Sequence, residues 1–190
     1  MRCISHPPSV TSPPNANWRK EQVTINERHT ISILLENAAG ALSRVAGLFS
    51  ARAYNIESLA VAPTEDPSVS RLTVVTSGSP QIIEQITKQL NKLVDVIKLV
   101  DLNEGPHITR ELMLIKVRAA SPDHRAEVKR LADIFTAAVV DVTDISFTLE
   151  LSGSSQHLDD FVEAVGVRHV MEMARSGVLG LLKGSKALKA

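Results

Sequence analysis

Along the chain, segments in which apolar residues recur every two residues alternate with segments in which they recur about every 3.6 residues. Residues 29–35 alternate in the way typical of a strand, and Leu42, Val45, Leu48 and Phe49 then recur at helical spacing. Continued along the first half of the chain, the pattern predicts the order βαββαβ. The predicted elements are strand 29–35, helix 41–53, strand 56–62, strand 70–77, helix 80–92 and strand 94–102.

The same order returns after a break at residues 103–106, which read Asn-Glu-Gly-Pro. The predicted elements are strand 110–118, helix 122–136, strand 138–143, strand 145–151, helix 155–165 and strand 168–175. Two such units predict an α+β fold with two ferredoxin-like βαββαβ domains in tandem, over residues 28–104 and 108–190. Each antiparallel sheet would leave one face and its edges uncovered, and we expect oligomerisation to cover them.

Residues 1–27 lack this periodicity and carry two Pro-Pro pairs among Ser, Thr and Asn. Such a segment buries too little apolar surface to offset its ordering entropy, so we predict a disordered extension. A targeting sequence is the alternative. Since the segment has only Arg2, Arg19 and Lys20 as basic residues and no clear amphipathic pattern, we favour an extension without function.

Composition narrows the class of protein. The 190 residues are 44% apolar, and 21 basic residues balance 21 acidic ones. This balance gives no net attraction for nucleic acid or an anionic membrane surface. No apolar run approaches the length of a membrane span, and Cys3 is the single cysteine, so we expect a cytoplasmic protein without intrachain disulfides.

No catalytic, nucleotide-binding or metal-binding constellation emerges from the sequence. His124 and Glu127 lie one helical turn apart, which we interpret as a solvated helix surface. His169 and Glu172 fall on a predicted strand, where their spacing would place them on opposite faces. Arg175 could face an anion at the end of the last strand, but we favour an exposed arginine before a chain reversal.

The turn Asn37-Ala38-Ala39-Gly40, between the first strand and the first helix, favours a small-molecule sensor over a catalyst. Gly40 permits a positive φ or a close backbone approach, and the unpaired amides of a helix start can bind a carboxylate. Asn37 adds an amide that both donates and accepts. The alternative is an ordinary helix entry with a turn glycine and an Asn cap. The corresponding turn of the second unit has no Asn-x-x-Gly.

Residues 34–45, 47–50 and 54–59 strongly resemble the regulatory (small) subunit of acetohydroxyacid synthase, also called acetolactate synthase. The resemblance continues through residues 61–64, 89–96, 110–114, 140–143 and 174–177. It implies that the first unit is an ACT domain, and that two such domains from different subunits bind valine at their interface. The implied valine-binding residues are Asn37, Gly40, Ala41 and Leu42 of one subunit, facing Asn55 and Ile56 of its partner. For Asn55, a left-handed turn residue ending the first helix is the alternative.

The same resemblance implies a non-catalytic regulatory subunit that forms a homodimer and binds a large catalytic subunit. The large subunit would carry thiamine diphosphate, FAD and magnesium, whereas this chain would hold no cofactor. The small chain would raise the activity and confer feedback inhibition by valine, and its second unit would serve activation. The rival hypothesis is a free-standing ACT module that controls another enzyme or a transcription factor, and an enzyme on a ferredoxin-like fold ranks third.

Overall fold

The computed structural model describes residues 27–190, and its first unit is an antiparallel sheet with two helices on one face. The strands pair in the order β2-β3-β1-β4. The predicted extension, residues 1–27, lies outside the described residues apart from Glu27, which opens β1. The elements are β1 (Glu27–Glu36), α1 (Ala41–Ala51), β2 (Ser58–Pro63), β3 (Val69–Gly78), α2 (Pro80–Leu90) and β4 (Val96–Asp101).

The second unit repeats this topology with the strand order β6-β7-β5-β8. Its elements are β5 (His107–Arg118), α3 (Pro122–Phe135), β6 (Ala138–Val142), β7 (Ser146–Gly153), α4 (Ser155–Val165) and β8 (Val170–Arg175). The predicted tandem of ferredoxin-like domains is therefore confirmed. None of the helices within residues 27–190 is long and apolar enough to cross a bilayer.

Each unit has its own core between the sheet and its two helices. In the first unit, alternate residues of β1 and β3 meet the apolar stripes of α1 and α2, because side chains on a strand alternate between its faces. The fully buried members are Ile31, Ile33, Val45, Leu72, Val74, Ile86 and Leu90. In the second unit they are Met113, Ile115, Val117, Val128, Leu149, Leu158 and Phe161.

A ninth strand, β9 (Leu179–Leu182), was not predicted from the sequence. It pairs antiparallel with the first four residues of β5, His107 to Arg110. Its four residues are too few to show an alternation of apolar and polar positions. Its second residue is Gly180, and glycine is rare in strand interiors. Here the glycine is required, because a Cβ at Gly180 would clash with the Leu102 side chain of the first unit.

The C-terminal segment that follows β9 covers the first sheet on the side away from its helices. Thr30, Ser32 and Leu34 point to that side and are all buried. Arg71 donates from Nη1 to Ser32 Oγ at 2.9 Å and from Nη2 to the carbonyl oxygen of Leu188 at 3.0 Å. A segment of the same chain therefore covers this face of the first sheet, whereas the expectation that oligomerisation covers the sheet edges and the open face of the second sheet stays a prediction.

Candidate functional site

The turn that leads into α1 has the left-handed conformation that its glycine allows. Gly40 is the N-cap residue with φ +86°, and no side chain caps the helix. Asn37 instead donates from Nδ2 to the carbonyl oxygen of Pro67 at 2.9 Å and from its backbone nitrogen to Ser68 at 2.7 Å. The alternative of an Asn cap is therefore wrong. Ala41 N donates to the Ala38 carbonyl oxygen at 3.2 Å, which leaves the next two amides of α1, those of Leu42 and Ser43, for a ligand carboxylate.

The next two residues of the predicted site differ in exposure. Ala41 is buried, whereas Leu42 is 38% exposed. The turn thus presents an exposed asparagine, an exposed glycine and one accessible aliphatic side chain side by side. These groups suit a small ligand with a carboxylate, an ammonium group and an aliphatic side chain.

Asn55 and Ile56 lie at the opposite end of the same sheet. Thr76 Oγ1 donates to the carbonyl oxygen of Asn55 at 2.6 Å, and Thr76 pairs with His29 near the start of β1. The Asn37 turn instead follows Glu36, which pairs with Val69. The seven residue steps from Val69 to Thr76 span about 23 Å at the rise of a strand. One chain therefore cannot place both groups around one amino acid.

Asn55 does not take the left-handed conformation that would have explained it as a turn residue. Ala53, with φ +53°, occupies that position after α1. Asn55 is exposed, and Ile56 is half-buried against the first core. The alternative for Asn55 is therefore wrong.

Arg44 and Asp95 form an ion pair beside the turn that sequence reasoning missed. Arg44 donates to both Asp95 carboxylate oxygens, from Nε at 2.5 Å and from Nη2 at 2.6 Å. The Asp95 backbone oxygen also accepts from Glu36 N at 2.9 Å. A Cβ on Gly40 would lie 3.0 Å from Arg44 Nη1. The pair thus ties α1 to the end of β1 and places a guanidinium at Gly40.

This ion pair gives a prediction for acid stability. The hydrogen bond from Arg44 lowers the pKa of Asp95, so the pair stabilises the fold above the unfolded carboxyl's pKa of about 3.9 and loses that contribution as pH falls further. We expect Asp95→Asn to lower Tm at pH 7, and the difference from the unsubstituted protein to narrow progressively as pH falls below about 3.9. Circular dichroism melts from pH 7 to 2.5 measure this difference.

The control for that experiment is Glu84→Gln. Glu84 pairs with Lys88 on the α2 surface, where both side chains are well exposed. An exposed pair contributes little, so we expect only a small change in Tm at any pH. A deficit for Asp95→Asn that stays constant from pH 7 to 2.5 would contradict the role assigned to the ion pair.

The histidines that the sequence left unassigned come together in the second unit. The ring of His124 packs against that of His169 with centroids 4.2 Å apart. Burial lowers the pKa of His169, and the charges of His124 and Arg168 add to this. His169 lies in a 3-10 turn before β8, so its placement on a strand was wrong. His124 is half-buried and Glu127 is exposed on α3, where it pairs with Arg130, as a helix surface predicts. Within residues 27–190, no group of three His, Cys, Asp or Glu could hold a metal ion.

Arg175 is not the exposed arginine that the sequence favoured. Its side chain is 25% exposed and donates from Nη2 to Asp159 Oδ1 at 2.5 Å. Its Nη1 lies 3.8 Å from the buried carboxylate of Glu111. The arginine therefore joins the end of β8 to α4 and β5.

Comparison with known protein families gives a consistent result for both units. A family model described as an AHAS small subunit-like ACT domain matches residues 31–98. A second model, described as the small subunit of acetolactate synthase, matches residues 110–184. The two matches correspond to the two βαββαβ units.

Similar proteins extend the comparison to nearly whole chains. The acetolactate synthase isozyme 3 small subunit of Salmonella typhimurium is 50% identical over 163 residues, which are 85% of this chain and 99% of that protein. The acetolactate synthase small subunit of Haemophilus influenzae is 53% identical over 160 residues, 84% of this chain and 98% of that protein. The crystal structure of the Thermotoga maritima small subunit superposes with a TM-score of 0.76 at 33% identity, covering 84% of this chain and 99% of that chain.

Proposed function

Because this chain belongs to the family of acetolactate synthase small subunits, we propose that it is the non-catalytic regulatory subunit that activates the large subunit and makes it sensitive to valine. The observation that carries the sensor role is the turn at Gly40, with its left-handed glycine and its uncapped helix start. Such a turn accepts a carboxylate without any rearrangement of the backbone.

Each part of valine finds a matching group at the proposed site. The Leu42 and Ser43 amides at the start of α1 bind the carboxylate, with the Arg44 guanidinium close by. Asn37 uses Nδ2 for Pro67 and therefore has Oδ1 available for the ammonium group. Leu42, with Ile56 of a second copy, packs the aliphatic side chain.

The positions of these residues favour a site shared by two copies of the chain. Asn37 and Asn55 lie at opposite ends of the sheet, and β2 is the edge strand next to both. If two copies pair antiparallel along their β2 edges, the Asn55 end of one meets the Asn37 end of the other. A homodimer with two symmetric valine sites follows from this arrangement.

The proposed partner is the large subunit, which we expect to carry thiamine diphosphate, FAD and magnesium and to condense 2-oxoacids in the cytoplasm. Valine inhibits at a distance if it binds one arrangement of the complex better than another. A coupling of about 1–3 kcal/mol is sufficient. The small chain needs no cofactor for this role.

An exposed apolar strip supports the second unit as the contact for the large subunit. We call it the β5 strip. It comprises Ile108, Leu112 and Leu114 on β5 and Leu179 and Leu181 on β9, which are 38–58% exposed. Ile108 lies directly opposite Leu181 in the ladder, so the two strands form one continuous surface. Contiguous exposed apolar surfaces typically mark protein interfaces.

Leu114→Asp tests this contact. A buried charge without a partner is costly at an interface, so we expect the variant to activate the large subunit at least about tenfold less well at subsaturating concentration. Activation curves with the large subunit measure this loss. The control is Ile134→Asp, which charges a 58% exposed residue on α3 outside the β5 strip. Equal activation by the two variants would contradict the proposed contact.

The whole proposal is tested by measuring acetolactate formation by the cognate large subunit while this chain is titrated in, with and without valine. A saturable rise that valine reverses is the expected result. A rise that ignores valine would keep the subunit role and remove the sensor role. No rise would favour a free-standing ACT module that controls another protein.

A further inference from the structure

We propose that the contact between Ser58 and the Gly177-Val178 segment transmits valine binding in the first unit to the surface that meets the large subunit. This inference rests on the proposed function. It concerns the joint formed by Ser58, Gly177 and Val178, which we call the Ser58 joint.

The Ser58 joint is tightly packed. The backbone nitrogen of Val178 donates to Ser58 Oγ at 2.9 Å, and Val178 is 3% exposed. Gly177 has φ +80°, and a Cβ there would lie 2.8 Å from Ser58 Oγ and 3.2 Å from the Leu59 carbonyl oxygen. Because a residue larger than glycine at position 177 would not fit between the two segments, they are in direct contact, and a displacement of one segment must displace the other.

On the first unit, the joint adjoins one half of the proposed valine site. Ser58 follows Asn55 and Ile56 by three and two residues. Between them, Glu57 N donates to the Val75 carbonyl oxygen at 2.9 Å, which fixes this stretch to β3. Ser58 and the Asn55-Ile56 segment are therefore held on the same strand β3, so a ligand that shifts this end of the sheet also shifts Ser58.

On the second unit, the joint adjoins the β5 strip. Ser176, the residue before Gly177, exchanges two hydrogen bonds with Leu112: Ser176 N donates to the Leu112 oxygen at 2.9 Å, and Leu112 N donates to Ser176 Oγ at 3.0 Å. Leu112 is a member of the β5 strip. The connection thus follows the chain from the proposed valine site to Ser58 and crosses to Val178 through the Ser58 hydrogen bond. It then follows the chain back to Ser176 and crosses to Leu112 on the proposed partner surface through two hydrogen bonds.

An open cleft beside the joint gives the two units room to move. The cleft has a volume of about 580 Å³ and is lined by charged residues of both units. The ion pairs at its walls stay within one unit each, Arg28 with Glu57 in the first and Arg175 with Asp159 in the second. Among the described residues that line the cleft, no ion pair joins the two units, and the neighbouring Ser58 joint provides a direct contact between them at this end.

The test compares Gly177→Ala with Gly184→Ala in the full complex with the large subunit. Both glycines have a positive φ, +80° and +76°, but a Cβ at Gly184 meets nothing within 4 Å. The two variants share the backbone strain, whereas Gly177→Ala alone forces the joint apart. Ser58→Ala removes the hydrogen-bond acceptor without strain and serves as a second disruption.

Two quantities are measured for each variant: valine Kd by calorimetry and residual acetolactate formation at saturating valine. If the joint transmits the signal, valine no longer has to shift the second unit, so by linkage its Kd stays equal or falls while inhibition weakens. We expect residual activity at saturating valine to rise at least about threefold in Gly177→Ala and Ser58→Ala, and to stay unchanged in Gly184→Ala.

Each other outcome overturns a defined part of the argument. Full inhibition in both joint variants would overturn the transmission role. Weaker valine binding with unchanged maximal inhibition would make the joint part of the binding site and not a transmitter. If the unsubstituted complex binds no valine, the proposed function fails independently of the joint.

Discussion

Gly40→Asp is expected to abolish valine inhibition of the assembled enzyme while activation of the large subunit stays within about twofold of the unsubstituted protein. The new carboxylate would lie where the carboxylate of valine should bind, and Arg44 Nη1, 3.0 Å from the added Cβ, would pair with it. The substituted residue must also keep φ near +86°, which is strained for any residue with a side chain. The β5 strip lies in the other unit and is unaffected.

Two matched variants separate charge from strain. Gly40→Ala introduces the strain without the charge, so we expect weakened but measurable inhibition. Gly47→Asp places the same carboxylate on α1 at a position with open space around it, so we expect normal inhibition. Inhibition curves with valine for the three variants complete the experiment. Normal valine sensitivity of Gly40→Asp would refute the site assignment.

Truncation after Glu104 is expected to remove activation while dimerisation and valine binding persist. The fragment keeps the Asn37 turn, the Asn55 segment and the β2 edge, but it loses the β5 strip and the Ser58 joint. We expect at least about a tenfold loss of activation, because the proposed partner surface is absent. Analytical ultracentrifugation, calorimetry with valine and activation assays measure the three properties. Full activation by the fragment would show that the second unit is dispensable.

The structure indicates that this truncation also lowers the stability of the remaining fragment. The fragment exposes the side of its sheet that the C-terminal segment covers, including Leu34 and Leu102. Each large apolar side chain that becomes exposed costs about 1.5–3 kcal/mol. We therefore expect a lower Tm for the fragment than for the full chain. Leu114→Asp is the complementary experiment, since it removes the contact and leaves this cover in place.

The regular elements of the fold were predictable because their apolar periods are long and uninterrupted. Ser79-Pro80 and Ser121-Pro122 mark two helix starts in the sequence, and in the structure each serine hydroxyl accepts a hydrogen bond from an amide in the first turn of its helix. β9 was missed because a four-residue strand with a glycine has no detectable period. Its position depends on packing against Leu102, which no local pattern encodes.

The candidate site was predictable in its conformation but not in its surroundings. The positive φ of Gly40 follows from residue type and position, since a turn before a helix favours glycine there. The Arg44–Asp95 pair joins residues 51 positions apart, so no local pattern encodes it. Arg175 was predicted to be exposed for the same reason, since its partner Asp159 lies on a different element. Asn37 bonds the β2–β3 turn at Pro67 instead of capping α1, because tertiary packing brings that turn within reach.

The segment that crosses the back of the first sheet also constrains how the protein is made. A ribosome synthesises the chain from its N-terminus, so all strands of the first unit emerge long before Gly180 and Leu188. During that interval the face around Ser32, Leu34 and Arg71 is open to water and to other nascent chains. Biogenesis of the first unit is therefore completed only when the end of the second has been translated. Premature termination would release a first unit with one bare face.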